Sequence, residues 1–449
     1  MRWNRKYAIK SYIRGSMWVV PLVAVVLYWV FHRITQAIGA WLVQTGRLDE
    51  RTAFFGLSTA GARSLLETAV TLNLSFLVFT FGSLLVAIQV AGGQYTPRII
   101  ATTLLRDNVI RFTVGCFVFT LVFALRVLTR MDETVDQFNT FIAAMLGWFS
   151  LMVFLYLIDY AARFLRPVSI VAKVGQSGVA VIESVYPDRT LRPRPVEPTR
   201  RRASPDRIVV NVGAPGVVLA VDLAGLVTQA RLANGIVDFV PHVGDFLAVD
   251  EPLYRLHGGA TAIDDRQLRE AVVIGIERTM EQDPTFAFRI LVDIAIKALS
   301  SAINDPTTAV LAIDQLQRLL RVVGLRDLRG EELRDEAGQL RLVFRTPNWE
   351  DYVHLTCIEI RHCGAGSVQV MRRMRSMLEN LMQTLPAHRH AELRRQLELL
   401  ERTVEGHYEF PEDRALARIA DPQGLDGSLG VERMSEAPTA EVGRRNDLL

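Results

Sequence analysis

Residues 62–90 read ARSLLETAVTLNLSFLVFTFGSLLVAIQV, a stretch that is apolar over most of its length. Crossing the hydrocarbon core of a bilayer takes about 20 helical residues, so this stretch predicts a membrane-spanning helix. Within it, small or polar side chains recur every seven residues and form a stripe along one side. The stripe consists of Thr68, Ser75, Gly82 and Gln89, with Thr71 beside it.

Two interpretations of this stripe stay open. Polar groups without partners are costly in hydrocarbon, and small residues let helices approach closely, so we expect the stripe to avoid lipid. It either packs against another helix, in the same chain or in a second copy, or lines a path for ions. Glu67 and Asn73 flank it, and Glu67 lies near the predicted outer end of the helix, where water can hydrate it.

Three further apolar segments predict spans, at about 17–43, 109–128 and 141–165. The segment 1–16 precedes them and mixes basic with aromatic residues, as is typical of an interfacial segment that contacts lipid head groups. The first span is too long for the core of a signal peptide, so we expect it to be retained.

The loops between the spans differ in charge. Basic residues collect before the first span, between the second and third, and after the fourth, whereas the other two loops also carry acidic residues. Cytoplasmic loops carry an excess of Lys and Arg. The sequence therefore predicts an inner (plasma) membrane protein with both termini in the cytoplasm.

The whole chain is 50% hydrophobic because a membrane region, 17–165, is joined to a soluble region of ordinary composition. The net charge of +3 points to no particular partner, and three cysteines are too few for a disulfide framework. A connector and a Pro/Arg-rich loop occupy 166–207. No aromatic or fold signature of nucleic-acid binding accompanies these arginines, so we expect no nucleic-acid partner.

Residues 208–260 predict a small β-rich, barrel-like module. The runs 208–212 and 217–221 predict a hairpin, and a short helix follows from about Asp222 to Leu232. The later turns are typical of biotinyl and lipoyl carriers, but no lysine occupies the turn that a carrier would modify. We therefore expect a structural or binding module.

Residues 261–422 predict a helical α+β domain, and the tail 423–449 has the composition of a disordered segment. One helix is expected from Asp264 to Glu281, with a strand at 340–344. The remaining expected helices cover about 285–300, 306–324, 349–360, 367–385 and 387–406. An Asp-Pro pair opens two of them, because Asp is a good N-cap and Pro a good first helical residue.

Around these two helix starts lie the candidates for a ligand or coupling site. Arg289, Asp293 and Lys297 are four residues apart and share one helix face. The set can serve as structural caps and ion pairs, bind a small anionic or nucleotide-like ligand, or contact another subunit. The full set is Arg278, Asp283, Arg289, Asp293, Lys297, Ser300, Asn304, Asp305 and Thr308.

Two motifs resemble those of a bacterial family of predicted membrane proteins whose domain has no assigned function. One is Ala298-Leu299-Ser300 followed by Ile303-Asn304-Asp305-Pro306-Thr307-Thr308-Ala309, and the other is the loop corner Gln94-Tyr95-Thr96-Pro97-Arg98. The resemblance covers most of residues 15–415 and implies a four-helix membrane region with a cytosolic domain. The family has Ser-Pro-Gly before its Ile-Asn, where this chain has Ser300-Ser301-Ala302.

The function hypotheses follow from this architecture. No phosphate loop, zinc-protease motif or serine elbow is present, so we expect no enzyme, no cofactor and no metal; His354 and Cys357 share a helix face but lack further ligands. Our first hypothesis is a homo-oligomeric ion channel or channel-like transporter with a regulatory cytosolic domain. The alternative is a non-conducting, membrane-anchored scaffold or sensor. An enzyme acting on lipids is third.

Overall fold

The computed structural model describes residues 3–45, 58–94, 107–131, 137–164, 166–189, 204–328 and 332–425. The chain forms two compact units, Met1–Ile170 and Val171–Leu449.

The described residues of unit 1 form helices joined by short non-helical segments. A short helix, α1, covers Trp3–Gly15, and four long helices follow: α2 (Val19–Gln44), α3 (Thr59–Gln94), α4 (Asn108–Thr129) and α5 (Gln137–Phe164). The four long helices coincide with the four predicted spans, within a few residues at each end. Helix α4 is central and packs against α2, α3 and α5.

The start of α4 joins three helices of unit 1. Asp107 caps α4, because its Oδ1 accepts hydrogen bonds from the backbone N–H groups of Val109 and Ile110. Its Oδ2 accepts from the hydroxyl of Tyr160 on α5 at 2.7 Å. One turn along α4, Arg111 donates to the carbonyl oxygen of Ile13 on α1 at 2.7 Å. These bonds attach α1 and the end of α5 to α4.

A fifth helix of the described chain, α6 (Pro167–Val185), is also long and apolar enough to cross a membrane, by length and composition. The sequence predicts a connector for this segment. From Val171 onward α6 belongs to unit 2, where small residues permit close packing. A Cβ placed on Gly178 would lie 2.9 Å from the Cβ of Ala287, and one on Gly175 would lie 2.3 Å from Oε1 of Gln315.

The described residues of unit 2 form two sheets. The first has the strand order β1-β5-β3-β8-β7, in which β3 and β8 are parallel and the other neighbours antiparallel. The second has the order β4-β2-β6 and is antiparallel. The strands are β1 (Arg207–Val210), β2 (Gly216–Val221), β3 (Gly235–Phe239), β4 (Phe246–Leu247), β5 (Pro252–Gly258), β6 (Val272–Gly275), β7 (Glu332–Arg334) and β8 (Leu340–Phe344).

This topology corrects the predicted hairpin. β1 pairs with β5 and β2 pairs with β4 and β6, so the two expected hairpin strands lie in different sheets. The predicted helix after β2 is present as α7 (Leu223–Leu232), capped by Asp222. Because β6, β7 and β8 complete the sheets, the β-rich region extends well beyond residue 260, the predicted end of the β-rich module.

The helix predicted from Asp264 to Glu281 is also corrected. A short helix, α8 (Asp265–Glu270), ends at Ala271, and Val272–Gly275 continues as β6. The run Val272-Val273-Ile274 is β-branched, which favours a strand where an edge of β2 is available for pairing. Ile276, which directly follows β6, is fully exposed.

The rest of unit 2 is helical, as predicted. Asp283 and Asp305 cap α9 (Pro284–Ala298) and α10 (Pro306–Gly324), each with proline in the first turn. Four helices complete the described chain: α11 (Trp349–Cys363), α12 (Val368–Thr384), α13 (His390–His407) and α14 (Pro411–Ala417). Helix α9 packs on α10 and α11, and α10 packs on α12.

Candidate functional site

The polar stripe of α3 points away from the helices of its own unit. The residues of α3 that are buried recur at helical spacing and include Leu66, Ala69, Asn73 and Phe76. The stripe lies on the opposite side of the helix, and all of its members are exposed. We call it the outward face of α3, and it comprises Thr68, Thr71, Ser75, Gly82 and Gln89.

The hydroxyl groups of the outward face are satisfied within α3. Thr68 donates to the carbonyl oxygen of Ser64, Thr71 to that of Glu67 and Ser75 to that of Thr71, each at 2.8 Å. A Cβ placed on Gly82 would meet no atom within 4 Å. The outward face is therefore narrow and carries small side chains whose hydroxyl donors are already bonded, so another helix can approach it closely.

The predicted loop corner begins at the end of α3. Gln94 is the last residue of this helix. Pro97 and Arg98 lie outside the described residues. The turn predicted at this corner stays a prediction.

In unit 2, Arg278 and Asp283 form an ion pair at the start of α9. Nε of Arg278 donates to Oδ2 of Asp283 at 2.6 Å, and the other carboxylate oxygen of Asp283 accepts from the hydroxyl of Thr285 and, at 3.2 Å, from the backbone N–H of Phe286. The Arg278 guanidinium also lies over the Phe286 ring, 5.7 Å from its centroid. Asp283 is only 3% exposed, so this pair orders the turn that begins α9.

Arg289 joins α9 to α11. Its Nη1 and Nη2 donate to the two carboxylate oxygens of Glu359 at 2.7 Å each, and its Nε donates to Asp293 at 2.6 Å. Such a two-pronged pair is among the stronger hydrogen-bonded ion pairs. The Arg289 guanidinium also holds the pKa of Glu359 below its usual range. Most donors of Arg289 are thus engaged within the chain.

The remaining candidates lie at the other end of α9 and at the start of α10. Asp305 accepts hydrogen bonds from the backbone N–H of Thr308 at 3.0 Å and from the Thr308 hydroxyl. Ser300 donates to the carbonyl oxygen of Lys297 at 2.7 Å. Asn304 is exposed and has a φ of 48°, a left-handed conformation that Asn tolerates better than most residues.

The fold distributes the nine candidates over three places: the start of α9 (Arg278, Asp283), its middle (Arg289, Asp293), and its end together with the start of α10 (the other five). Helix α9 has 15 residues, and at a rise of about 1.5 Å per residue it separates Asp283 from Ser300 by roughly 22 Å. A small anion cannot contact both groups at once. Two candidates at the end of α9 remain, Lys297 and Asn304. Their side chains form no hydrogen bond among the described residues.

The His and Cys residues of α11 do not assemble a metal site. The described residues contain no group of three or more His, Cys, Asp or Glu side chains placed to hold a metal ion. Cys357 is buried, which raises the pKa of its thiol to about 12, so the thiol stays protonated at neutral pH. His354 instead lies 2.8 Å from the Glu392 carboxylate through its Nε2.

The comparisons with known proteins agree with this architecture. A family model described as a predicted membrane protein (DUF2254) matches residues 14–380. The chain belongs to this family. Two relatives are uncharacterized proteins of Mycobacterium tuberculosis and Mycobacterium bovis, each 26% identical over 430 residues, which cover 92% of this chain and 81% of the relative. No solved structure matches the chain. This DUF2254 chain is therefore a membrane protein with several candidate spans.

Sequence reasoning missed two features of this DUF2254 chain. The first is a set of buried polar residues. Asn73 was grouped with the stripe, but it lies on the buried side of α3. Thr120 on α4 and Ser150 on α5 are equally buried and were overlooked. A lone polar residue in the middle of an apolar span is the signal that could have found them. The second is Glu359, which lies 70 residues from Arg289, too far for any helical spacing to indicate.

Proposed function

We propose that the protein is a homo-oligomeric ion channel or channel-like transporter of the inner membrane, assembled around the outward face of α3. The observation that carries the proposal is the position of this face. It runs along a membrane-compatible helix and points away from the other helices of its unit. Small and polar side chains gain no favourable interaction from contact with lipid. A second copy of the chain, or water, is therefore the better neighbour for this face.

The chemistry of the outward face supports an ion path in two ways. Hydroxyl oxygens that already donate a proton to the backbone keep lone pairs free, and these can replace part of the hydration of a passing cation. Gln89 adds a carboxamide with both donor and acceptor groups. In an oligomer with a central axis, equivalent faces from each subunit would form a ring of such oxygens.

A non-conducting scaffold or sensor is the second candidate, and one observation favours it. The three hydroxyl groups are satisfied within α3, and Gly82 leaves room above the helix. Surfaces of this kind also serve as packing interfaces between membrane helices, with no role in conduction. In that case assembly would hold the cytosolic units together without conduction.

For topology we propose four spans with both termini in the cytoplasm. Val171, Val174 and Ile182 of α6 are buried, and Gly175 and Gly178 of the same helix approach α9 and α10 of unit 2. A helix whose buried side is covered by a soluble unit needs no bilayer. Unit 2 would then be the cytosolic regulatory part, and Lys297 with Asn304 the group through which a small anionic ligand acts.

The test combines two measurements on the same purified protein. Ion flux into liposomes and subunit number in the membrane are measured for wild type, for Gln89→Leu, and for the double variant Ser75→Leu and Gly82→Leu. A channel predicts flux by wild type, flux altered by Gln89→Leu, and flux lost by the double variant with its subunit number unchanged. If the outward face is only a packing interface, the double variant should lose assembly.

The matched control is Ala37→Leu on α2, which enlarges another small, exposed residue of a membrane helix. It should change neither flux nor subunit number. Absence of flux from wild type across several ions, voltages and osmotic conditions would overturn the channel proposal and leave the scaffold. A monomeric wild-type protein in the membrane would overturn both.

A further inference from the structure

The interior of unit 1 contains a polar layer formed by Asn73 on α3, Thr120 on α4 and Ser150 on α5. All three side chains are 0% exposed. Thr120 lies near the middle of the 22-residue α4, and Ser150 lies at the middle of the 28-residue α5. In a membrane these positions are far from water at either surface, and polar groups there are usually functional.

The polar layer separates two apolar clusters of the same helix bundle. One cluster includes Ala69 of α3 and Phe123 of α4, and the other includes Phe76 of α3 and Phe117 of α4. Asn73 lies between the two clusters on α3, and Thr120 lies between them on α4. Phe76 and Phe117 have ring centroids 5.4 Å apart, so aromatic side chains close one side of the layer.

Contacts between the helices put the three residues at one level. Ser150 donates a hydrogen bond to Oγ1 of Thr120 at 3.0 Å. On α3 and α5, a Cβ placed on Gly147 would lie 3.5 Å from the Cβ of Ala69, and Phe76 stacks on Phe154 at 4.1 Å. These two contacts fix the same register on either side of Asn73, which places Asn73 beside the turn of α5 that carries Ser150.

One acceptor of Asn73, its amide oxygen, has no hydrogen-bond partner among the residues that the structure describes. Its Nδ2 donates to the carbonyl oxygen of Ala69 at 2.8 Å, whereas its Oδ1 is buried and meets no hydrogen-bond donor among the described residues. An unsatisfied amide oxygen is costly in a membrane interior, and its retention indicates a use other than packing.

We propose that the polar layer is a binding site for a monovalent cation, with Asn73 Oδ1, Thr120 Oγ1 and Ser150 Oγ as ligands. All three are neutral oxygens, and a hydroxyl oxygen can accept a cation while its proton is donated elsewhere. Calcium and magnesium sites use carboxylates, and α4 contains no Asp or Glu. Neutral oxygen dipoles match a singly charged ion, as in selective filters.

This site goes beyond the proposed function. It lies on the buried side of α3, opposite the outward face, and it can bind a cation whether or not the assembled protein conducts. Its test therefore measures binding rather than flux. A failure of liposome flux would leave the site untouched, and a failure of cation binding would leave the proposed path along the outward face untouched.

The experiment measures the thermal unfolding midpoint of the full-length protein in detergent. The midpoint in sodium, potassium or lithium chloride is compared with the midpoint in choline chloride at the same ionic strength. A ligand that binds the folded state alone raises the midpoint. We expect at least one of the small cations to raise the wild-type midpoint by about 2–4 °C. The response should vanish in Asn73→Leu, which keeps the side-chain size and removes the oxygen.

Two further variants make the result specific. Thr80→Val removes a hydroxyl on the same helix that is equally buried but already donates to the carbonyl oxygen of Phe76, so it should keep the full cation response. Ser150→Ala removes one ligand with little change of volume, and it decides the question if Asn73→Leu does not fold; it should need about tenfold more cation for the same shift. Equal midpoints in small cations and choline, or a response unchanged in both Asn73→Leu and Ser150→Ala, would overturn the proposal.

Discussion

The outward face of α3 can be compared with α9 and α10, two consecutive helices that pack together and that we call the α9–α10 hairpin. Both carry regularly spaced polar residues, but the fold uses them differently. On the hairpin, Asp283 and Asp305 cap helices, and Arg289 bonds to Glu359 on another helix. On α3, the hydroxyls of residues such as Ser75 bond only to their own helix and remain exposed. Polar residues with partners in the same subunit stabilise that subunit, whereas those without such partners are available to another chain or to a solute.

The largest effect on subunit stability should come from Asp283→Ala. The change removes the N-cap of α9 and leaves the partly buried Arg278 without its carboxylate, which together should cost about 2–4 kcal/mol in unfolding free energy. Thermal unfolding of the full-length protein in detergent measures it. Asp283→Asn is the control, because it keeps a capping oxygen but loses the charge, and it should cost less. If Asp283→Ala lowered the unfolding free energy no more than a substitution at an exposed surface residue does, Asp283 would not have this structural role.

Arg289→Met should have the next largest effect and lower the unfolding free energy by about 1–2 kcal/mol. The loss is smaller than for a fully buried ion pair because the Glu359 side chain is 46% exposed. Methionine keeps the aliphatic part of the side chain, so the loss reports the hydrogen bonds. A double-mutant cycle with Glu359→Gln isolates the coupling between the two side chains. Independent effects of the two substitutions would show that α9 and α11 are held together by other contacts.

Asp305→Ala should cost about 1 kcal/mol, the usual contribution of an N-cap. The loss should be smaller than for Asp283→Ala because Asp305 has no arginine partner among the described residues. Asp305→Ser, which restores a capping oxygen, should recover most of it. If Asp305→Ala leaves stability unchanged but weakens the effect of an added anion on flux, the hairpin loop is a ligand site rather than a structural cap.

Acidification should weaken the Arg289–Glu359 pair. The hydrogen bonds from Arg289 hold the pKa of Glu359 below its ordinary value of 4.5. The pair therefore contributes its full stability above that value and loses it as the pH falls through the lowered pKa of the folded state. The unfolding midpoint of wild type should fall more steeply below about pH 4 than that of Glu359→Gln. Parallel pH profiles would contradict this assignment.

The sequence predicted local features well and distant contacts poorly. The Asp-Pro caps of α9 and α10 and the long apolar spans are signals carried by neighbouring residues, and these elements are present. The strand β6 was predicted as helix because its partner, β2, lies about 50 residues earlier in the chain. Helical spacing gathered Arg289, Asp293 and Lys297 on one face, but it could not reveal that Glu359 would engage Arg289. The same limit hid the polar layer, which takes one residue from each of three helices.

The smallest effect on subunit stability should come from Ser75→Ala on the outward face. Its hydroxyl donates to a carbonyl oxygen of its own helix, and alanine is the better helix former, so the change should be below about 0.5 kcal/mol. Ser150→Ala in choline chloride is the matched control, because the same substitution there removes a buried hydrogen bond between helices and should cost about 1 kcal/mol. Unfolding is measured at a protein concentration low enough to keep the subunits apart. If both variants lost the same stability, the outward face would pack within its own subunit. If Ser75→Ala is neutral for the isolated subunit yet alters assembly or flux, the outward face acts between subunits, which separates its role from that of the α9–α10 hairpin.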